Sequence, residues 1–238
     1  MCTLAWGKRG NGVWICFNRD EQRSRPSAEP PQVHGEGENA CLYARDPEGG
    51  GTWLAASTAG YLVGLLNHYP GGERGDPAGT RSRGLLVKEL AGLGDPVEAC
   101  RRIGDKDLRP YRPFRIFFLS IDRMVGFVWD GQRLAFAGEE GRFWTSSSHQ
   151  PGEVADWRRR YWRKRTGGRD LGPARSALFL RDRHPRKPAF GLTMDREDAR
   201  TVSQAVVLLE PHSISYTYRS REGNGPGYGP PVTIRHPD

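Results

Sequence analysis

The stretch Met1-Cys2-Thr3-Leu4-Ala5-Trp6, followed by Gly7-Lys8-Arg9-Gly10-Asn11-Gly12 and then Val13-Trp14-Ile15-Cys16-Phe17-Asn18-Arg19-Asp20-Glu21, decides the fold. Residues 1–6 and 13–17 are apolar with β-branched and aromatic members, and the glycine-rich connection between them reads as a β-hairpin. A hairpin returns the end of its second strand to the start of its first. That geometry sets Asn18 and Asp20 beside Cys2. Removal of Met1 would expose an α-amine with a pKa of roughly 7.7 to 8, close enough to serve as base for the thiol of its own residue. No histidine partner is then needed. Two readings of Cys2 stand: a self-sufficient nucleophile, or the first residue of a buried strand, where free cysteines are common. The neighbours are read in two ways as well. A carboxylate at Asp20 and an amide at Asn18 can hold and orient the terminus; equally, they form the polar exit of a strand running into Ser24-Arg25-Pro26-Ser27.

Outward from the hairpin, period and punctuation predict the remaining elements. Residues 52–57 and 61–66 read as a second hairpin around Ala59-Gly60, and residues 83–93 and 96–103 as helices, the second opened by Asp95 as cap and Pro96 at its first position. Residues 115–121, 124–129 and 132–137 form a meander with a turn at Asp130-Gly131. Residues 153–164 read as helix, and residues 190–194, 203–210, 213–219 and 232–235 as strands. This order predicts an α+β domain over residues 1–238, with two antiparallel sheets face to face and helices outside.

Several motifs then carry a resemblance. Met1-Cys2-Thr3, Asn18-Arg19-Asp20-Glu21, Arg25-Pro26, Gly50-Gly51-Thr52-Trp53-Leu54, the stretch from Ser57-Thr58-Ala59-Gly60 to Leu66-Asn67-His68-Tyr69, and Arg81-Ser82-Arg83-Gly84 together resemble the NRDE family, that of transport and Golgi organization protein 2. Thr145-Ser146-Ser147-Ser148 and the run from Arg196 to Ser203 resemble its bacterial branch. The family is in turn similar to the N-terminal nucleophile hydrolases of the choloylglycine hydrolase group, whose Arg-Asn-x-Asp motif falls here on Phe17, Asn18, Arg19 and Asp20. The resemblance implies the four-layer αββα sandwich and a cysteine amidohydrolase site of Cys2, Asn18, Asp20 and Asn67, the last as oxyanion donor. Ser147 is the expected second donor. Phe17 replaces the arginine that assists the cysteine in those hydrolases. Arg19 is expected not to substitute for it, on the ground that adjacent strand residues point to opposite faces. The family also implies haem handling: a non-catalytic module in which Arg19 and Arg25 would meet propionates, over an apolar floor containing Trp53 and beside His68. No cofactor is required for the first reading; haem is the ligand of the second.

Composition bounds the alternatives. With 238 residues and 36% hydrophobic content, the chain is long enough for one sizeable core. The longest apolar runs are of strand length, short of the roughly 20 residues a membrane helix needs, and Lys8 and Arg9 interrupt any N-terminal signal region. Cys2, Cys16, Cys41 and Cys100 lack metal-site spacing, and the six histidines show no i, i+4 pair, so no metal site and a cytoplasmic location with reduced thiols are expected. A Cys2 to Cys16 bridge across the hairpin is conceivable. His68 and His149 follow the two expected oxyanion segments. The net charge of +8 is nearly all arginine, densest in residues 156–165. Such a run with interleaved aromatics can track nucleic acid. On a helix, however, Val154, Trp157 and Tyr161 share one face and would anchor it, leaving the arginines to water. Gly223-Asn224-Gly225-Pro226-Gly227 reads as a turn within a loop spanning 221–231.

Overall fold

In the first hairpin, β1 (Cys2–Arg9) and β2 (Gly12–Gln22) pair around a turn at Gly10, whose φ of 55° suits a residue without Cβ. The computed structural model describes residues 2–70, 80–138, 141–221 and 228–237, and the side chains of these except 234–237. The strands run further than their apolar cores, so the Asn18-Arg19-Asp20 run lies inside β2 instead of ending it. Successive side chains alternate between faces. Leu4, Ile15 and Phe17 point to one side, and Ala5, Trp14 and Cys16 to the other.

This hairpin belongs to a six-stranded antiparallel sheet with β10 (Phe143–Thr145), β11 (Ala199–Glu210), β12 (Ser213–Ser220) and β13 (Val232–Pro237), in the order β10-β1-β2-β11-β12-β13. The second sheet has seven strands in sequential order: β3 (Glu29–His34), β4 (Cys41–Arg45), β5 (Leu54–Ser57), β6 (Tyr61–Asn67), β7 (Phe114–Ser120), β8 (Met124–Trp129) and β9 (Leu134–Gly138). Leu4, Phe17, Leu42, Leu54, Leu62, Phe117, Val207 and Tyr216 fill the space between the sheets. On the outer face of the seven-stranded sheet, α1 (Gly84–Ala91) and α2 (Pro96–Asp105) bury Leu86, Leu90 and Ile103 against Tyr61, Val63, Phe114, Ile116 and Phe118. On the outer face of the six-stranded sheet, α3 (Pro151–Thr166) and α4 (Gly172–Phe179) bury Trp162 and Phe179 against Ala5, Trp14 and Cys16. The result is the expected four-layer αββα sandwich, α+β in class. Each large side chain buried in these layers contributes about 1.5–3 kcal/mol of transfer free energy.

The second hairpin, the Asp130-Gly131 meander turn and the cap at Asp95, which accepts from Val97 N at 2.8 Å, lie where the sequence predicts them. Strands β4 and β10 fall in stretches the sequence reading leaves unassigned, and three further elements differ. β3 contains Pro30-Pro31 and no alternation; it is an edge strand with a register break between Glu29 and Gln32, the place where proline is tolerated. Helix α4 begins Gly172-Pro173 and is only eight residues long. Residues 190–194, expected as strand, instead follow a single 3-10 turn at Pro188–Phe190, and the N–H groups of Leu192 and Thr193 both donate to Asp182 O at 3.0 Å. A short apolar run does not by itself distinguish a strand from a buried loop. The Gly223 to Gly227 turn lies outside the described residues. Among the described residues no helix is long and apolar enough to cross a membrane.

Candidate active site

Register places Cys2 opposite Arg19 and Thr3 opposite Asn18, while β10 brings Thr145 alongside Thr3. Cys2 is only 6% exposed. Its backbone nitrogen donates to Ser146 Oγ at 3.2 Å, and Ser146 N donates back to Cys2 O at 2.9 Å, so both backbone polar groups of the residue are clamped by one serine. Met1 lies outside the described residues; once it is removed, the Cys2 nitrogen becomes an α-amine with a hydroxyl partner already in place. Burial pushes the Cys2 thiol up, the Asp20 charge pushes the same way, and the Asp20 N–H and Arg19 act against them.

The helix-facing side of these strands carries a buried polar layer. Thr201 Oγ1 donates to Asp20 Oδ1 at 2.6 Å, and Arg158 Nη1 stands 3.9 Å from Asp20 Oδ2. Burial pushes the Asp20 carboxyl up, opposed first by the Arg158 charge. Arg158, 1% exposed, comes from the middle of α3. Its Nη1 donates to Thr3 Oγ1 at 2.9 Å and Thr145 Oγ1 at 3.0 Å, and its Nε to Phe190 O at 3.2 Å. Asn18 belongs to this layer too. Its Nδ2 donates to Leu180 O at 2.7 Å and Leu192 O at 3.0 Å, and its Oδ1 accepts from Gln204 Nε2 at 3.1 Å.

On the inter-sheet side a cavity of about 940 Å³ opens over Cys2, walled by Arg19, Asp20 and Glu21 of β2, Leu65 and Asn67 of β6, His68, Trp53, Ser148 and the segment from Thr80 to Gly84. A close approach sets one wall: a Cβ on Gly51 would lie 2.2 Å from Gly84 C, and Thr52 N donates to Gly84 O at 3.1 Å, so the first turn of α1 sits against the loop leading to Trp53. The Arg19 guanidinium lies over the Trp53 ring at 4.4 Å and donates to Asp46 Oδ2 at 3.1 Å and Glu21 Oε2 at 3.3 Å. Arg25 pairs with the same Asp46 at 3.1 Å and with Glu48 at 3.4 Å. Asn67 Nδ2 donates to Tyr69 Oη at 3.2 Å. Burial lowers the pKa of His68, with the Arg115 charge acting the same way and the Asp130 charge against it.

The cavity therefore brings together Cys2, Arg19, Arg25, Trp53, Asn67 and His68 of the expected residues, and Asp20 borders it although its carboxyl is tied into the helix-side layer. Asn18 and Ser147 stand apart. Asn18 points to the helix layer because it is one residue out of phase with Arg19, and its hydrogen bonds brace the loops after α4. Ser147 Oγ donates to His149 O at 2.7 Å and accepts from His149 N at 3.1 Å, closing a local turn; Ser146 holds Cys2 and Ser148 lines the cavity. The expectation about Arg19 is corrected: Phe17 and Arg19 are two residues apart and share a face, so Arg19 projects into the cavity beside Cys2 while Phe17 is buried in the inter-sheet core. No Cys2–Cys16 bridge forms, since Cys16 pairs with Ala5 on the opposite face and all four thiols are free. Arg158, which the sequence reading leaves to water, is instead buried. Its signal is its place four residues from both Val154 and Trp162, in the centre of the stripe that α3 buries.

The family model described as Transport and Golgi organisation 2 matches residues 1–166. The chain belongs to that family. The match takes in β1 to β10, all of α3 including Arg158, and every cavity residue except Asp198 and Ala199. No curated protein sequence matches this member of the Transport and Golgi organisation 2 family. Solved structures similar to it include a penicillin V acylase from Agrobacterium tumefaciens, 12% identical with a TM-score of 0.51, covering 92% of this chain and 83% of that one. An N-acylethanolamine-hydrolyzing acid amidase orthologue from Caenorhabditis elegans is 13% identical, TM-score 0.55, covering 87% and 92%. A conjugated bile acid hydrolase from Clostridium perfringens is 13% identical, TM-score 0.54, covering 98% and 92%. These likenesses give the family member an N-terminal nucleophile hydrolase fold.

Proposed function

We propose that the chain is a cysteine amidohydrolase of the N-terminal nucleophile type, acting on a small amide in the cavity over Cys2. The observation that carries this reading is the clamp at Cys2: its nitrogen rests on Ser146 Oγ while the residue itself lines the cavity. With Met1 removed, the α-amine takes the thiol proton as Sγ bonds to the amide carbon and the carbonyl π pair moves to oxygen. Asn67 Nδ2 and a backbone N–H donate to that oxyanion. Collapse re-forms the carbonyl and breaks the C–N bond, and the leaving amine takes the proton from the α-ammonium. Water then attacks the thioester, its proton passing to the α-amine, and an acid and the free thiol are released. A thiol kept protonated by burial suits this route, because its base is its own amine. Asp20 and Arg158 act as positioning residues beneath the terminus. The free thiols accord with a reducing compartment such as the cytoplasm.

The test is Cys2→Ala against a panel of small N-acyl amides. Turnover is expected to fall to background, a loss of at least about 10³-fold, with the melting temperature unchanged. Equal turnover by wild type and variant would remove the proposal. The haem module draws support from the imidazole of His68 on the cavity wall, whose pKa burial lowers, but the residues present fit haem poorly. Arg19 and Arg25, the arginines expected to meet propionates, already hold Asp46, Glu21 and Glu48. Nucleic-acid binding through α3 has still less support, because Trp157 stacks on Tyr161 at 4.9 Å and against His184 at 4.8 Å, which occupies the ring faces a base would need.

A further inference from the structure

Five arginines line the cavity, and they divide by what they hold. Arg19 and Arg25 are neutralised by Glu21, Asp46 and Glu48. Arg81, Arg83 and Arg112 make no ion pair among the described residues. The cavity's other acids are engaged elsewhere: Asp20 faces Arg158, Asp198 pairs with Arg196, and Asp130 accepts from the N–H groups of its own turn, Gln132 and Arg133. Among the described residues, these three cations line the cavity without a carboxylate in ion-pair contact.

Arg83 is the centre of this group. It is half-buried, and its Nη1 donates to Pro113 O at 3.0 Å. Burial pulls its pKa down and the Arg112 charge adds to this, while Tyr69, Cys2 and Glu21 oppose it, which places Arg83 within electrostatic reach of Arg112, of the nucleophile and, more weakly, of the Glu21 carboxylate that Arg19 and Arg25 hold. Arg81 lies 5.8 Å over the Tyr111 ring. A half-buried guanidinium without an ion-pair contact among the described residues has donors to spare, and an incoming carboxylate takes them up in charge-assisted hydrogen bonds of fork geometry.

We infer that Arg81, Arg83 and Arg112 form a carboxylate subsite, so that the amide cleaved at Cys2 is one bearing a free carboxylate, as in an N-acyl amino acid. The inference rests on the hydrolase reading of the same cavity for its chemistry, but not for its binding. Calorimetric titration of Cys2→Ala protein with benzoylglycine and its neutral isostere benzoylglycinamide tests it. The acid is expected to bind about 10- to 100-fold more tightly than the amide, the range of a charge-assisted pair. Arg83→Gln is expected to erase that difference without altering benzoylglycinamide binding. Arg112→Gln, at an exposed side chain that the core does not need, is expected to reduce it about threefold as a screened charge, which keeps the test decisive should Arg83→Gln fail to fold. Equal affinity for acid and amide, no binding of the acid at millimolar concentration, or indifference to both substitutions overturns the subsite. The two proposals fail separately. Arg83-dependent binding of benzoylglycine with no turnover of either compound by wild type keeps the subsite and removes the hydrolase. Equal turnover of both compounds, unaffected by Arg83→Gln, does the reverse.

Discussion

The two faces of the β1–β2 hairpin put one short run of sequence to opposite uses. Toward the second sheet, Cys2 and Arg19 look into a cavity, and Arg19 touches Trp53, Asp46 and Glu21. Toward the helices, Thr3, Asn18 and Asp20 are sealed by Arg158, Gln204, Thr201 and the carbonyls of Leu180 and Leu192. Neighbouring residues of a single motif are thereby divided between chemistry and support. The difference teaches that the reactive thiol is held in place from behind: its own face is left open for a substrate, and the hydrogen bonds that fix the strands come from the other side of the sheet.

Breaking the support face has the largest expected effect. Arg158→Met strands the Asp20 carboxylate in a dry layer, and stability is expected to fall by about 3–5 kcal/mol in urea unfolding, the usual cost of removing one partner of a buried pair. Adding Asp20→Asn to it is expected to recover part of that loss. A cost below about 1 kcal/mol would mean that the layer is not held by this pair. Next comes Asn18→Ala, which takes the Asn18 donor from the buried Leu192 carbonyl and leaves Leu180 O with Thr193 Oγ1 alone, at about 1–3 kcal/mol. Arg19→Gln on the cavity face is expected to cost only about 1 kcal/mol, because Asp46 keeps Arg25 and the partners are partly solvated. Equal losses for Asn18→Ala and Arg19→Gln would erase the distinction between the faces.

The smallest perturbation is a thiol label. Iodoacetamide is expected to reach Cys2 through the cavity while Cys16, fully buried under the helices, stays unmodified until the protein unfolds. Burial pushes both thiols up. A raised pKa means that the thiolate fraction at Cys2 still climbs as pH passes about 9, so the labelling rate, read by mass spectrometry of the N-terminal peptide, should keep increasing between about pH 7 and 10. A rate that levels off below about pH 8 would indicate a pre-ionised nucleophile and an open, polar surrounding. The same peptide reports whether Met1 has been removed.

Much of this architecture was legible where a local rule decided it. The hairpin around Gly10, the meander turn at Asp130-Gly131 and the cap at Asp95 each follow from turn chemistry and period. The edge strand with Pro30-Pro31 was not, because its pairing depends on having only one neighbour in the sheet. Residues 190–194 have strand composition, yet the N–H groups of Leu192 and Thr193 go to Asp182 and the Phe190 carbonyl goes to the Arg158 guanidinium. Within the site, the approach of Asp20 to Cys2 was readable from hairpin return. The exclusion of Asn18 was readable too, from strict alternation, and the placement of Arg19 against the phase of Phe17 was a misreading of that same rule.

By itself the sequence determined the family, the hairpin that presents Cys2 and the acid beneath it, because these depend on residue identity and on pairing within about twenty residues. Only the tertiary structure decided which hydroxyl meets the Cys2 nitrogen, that Arg158 crosses from a helix to Asp20, and which cavity arginines are already neutralised. Those are meetings between segments far apart in the chain, or contests among several carboxylates for one guanidinium. Their outcome is set by how whole layers pack and exclude water, and no local pattern records it.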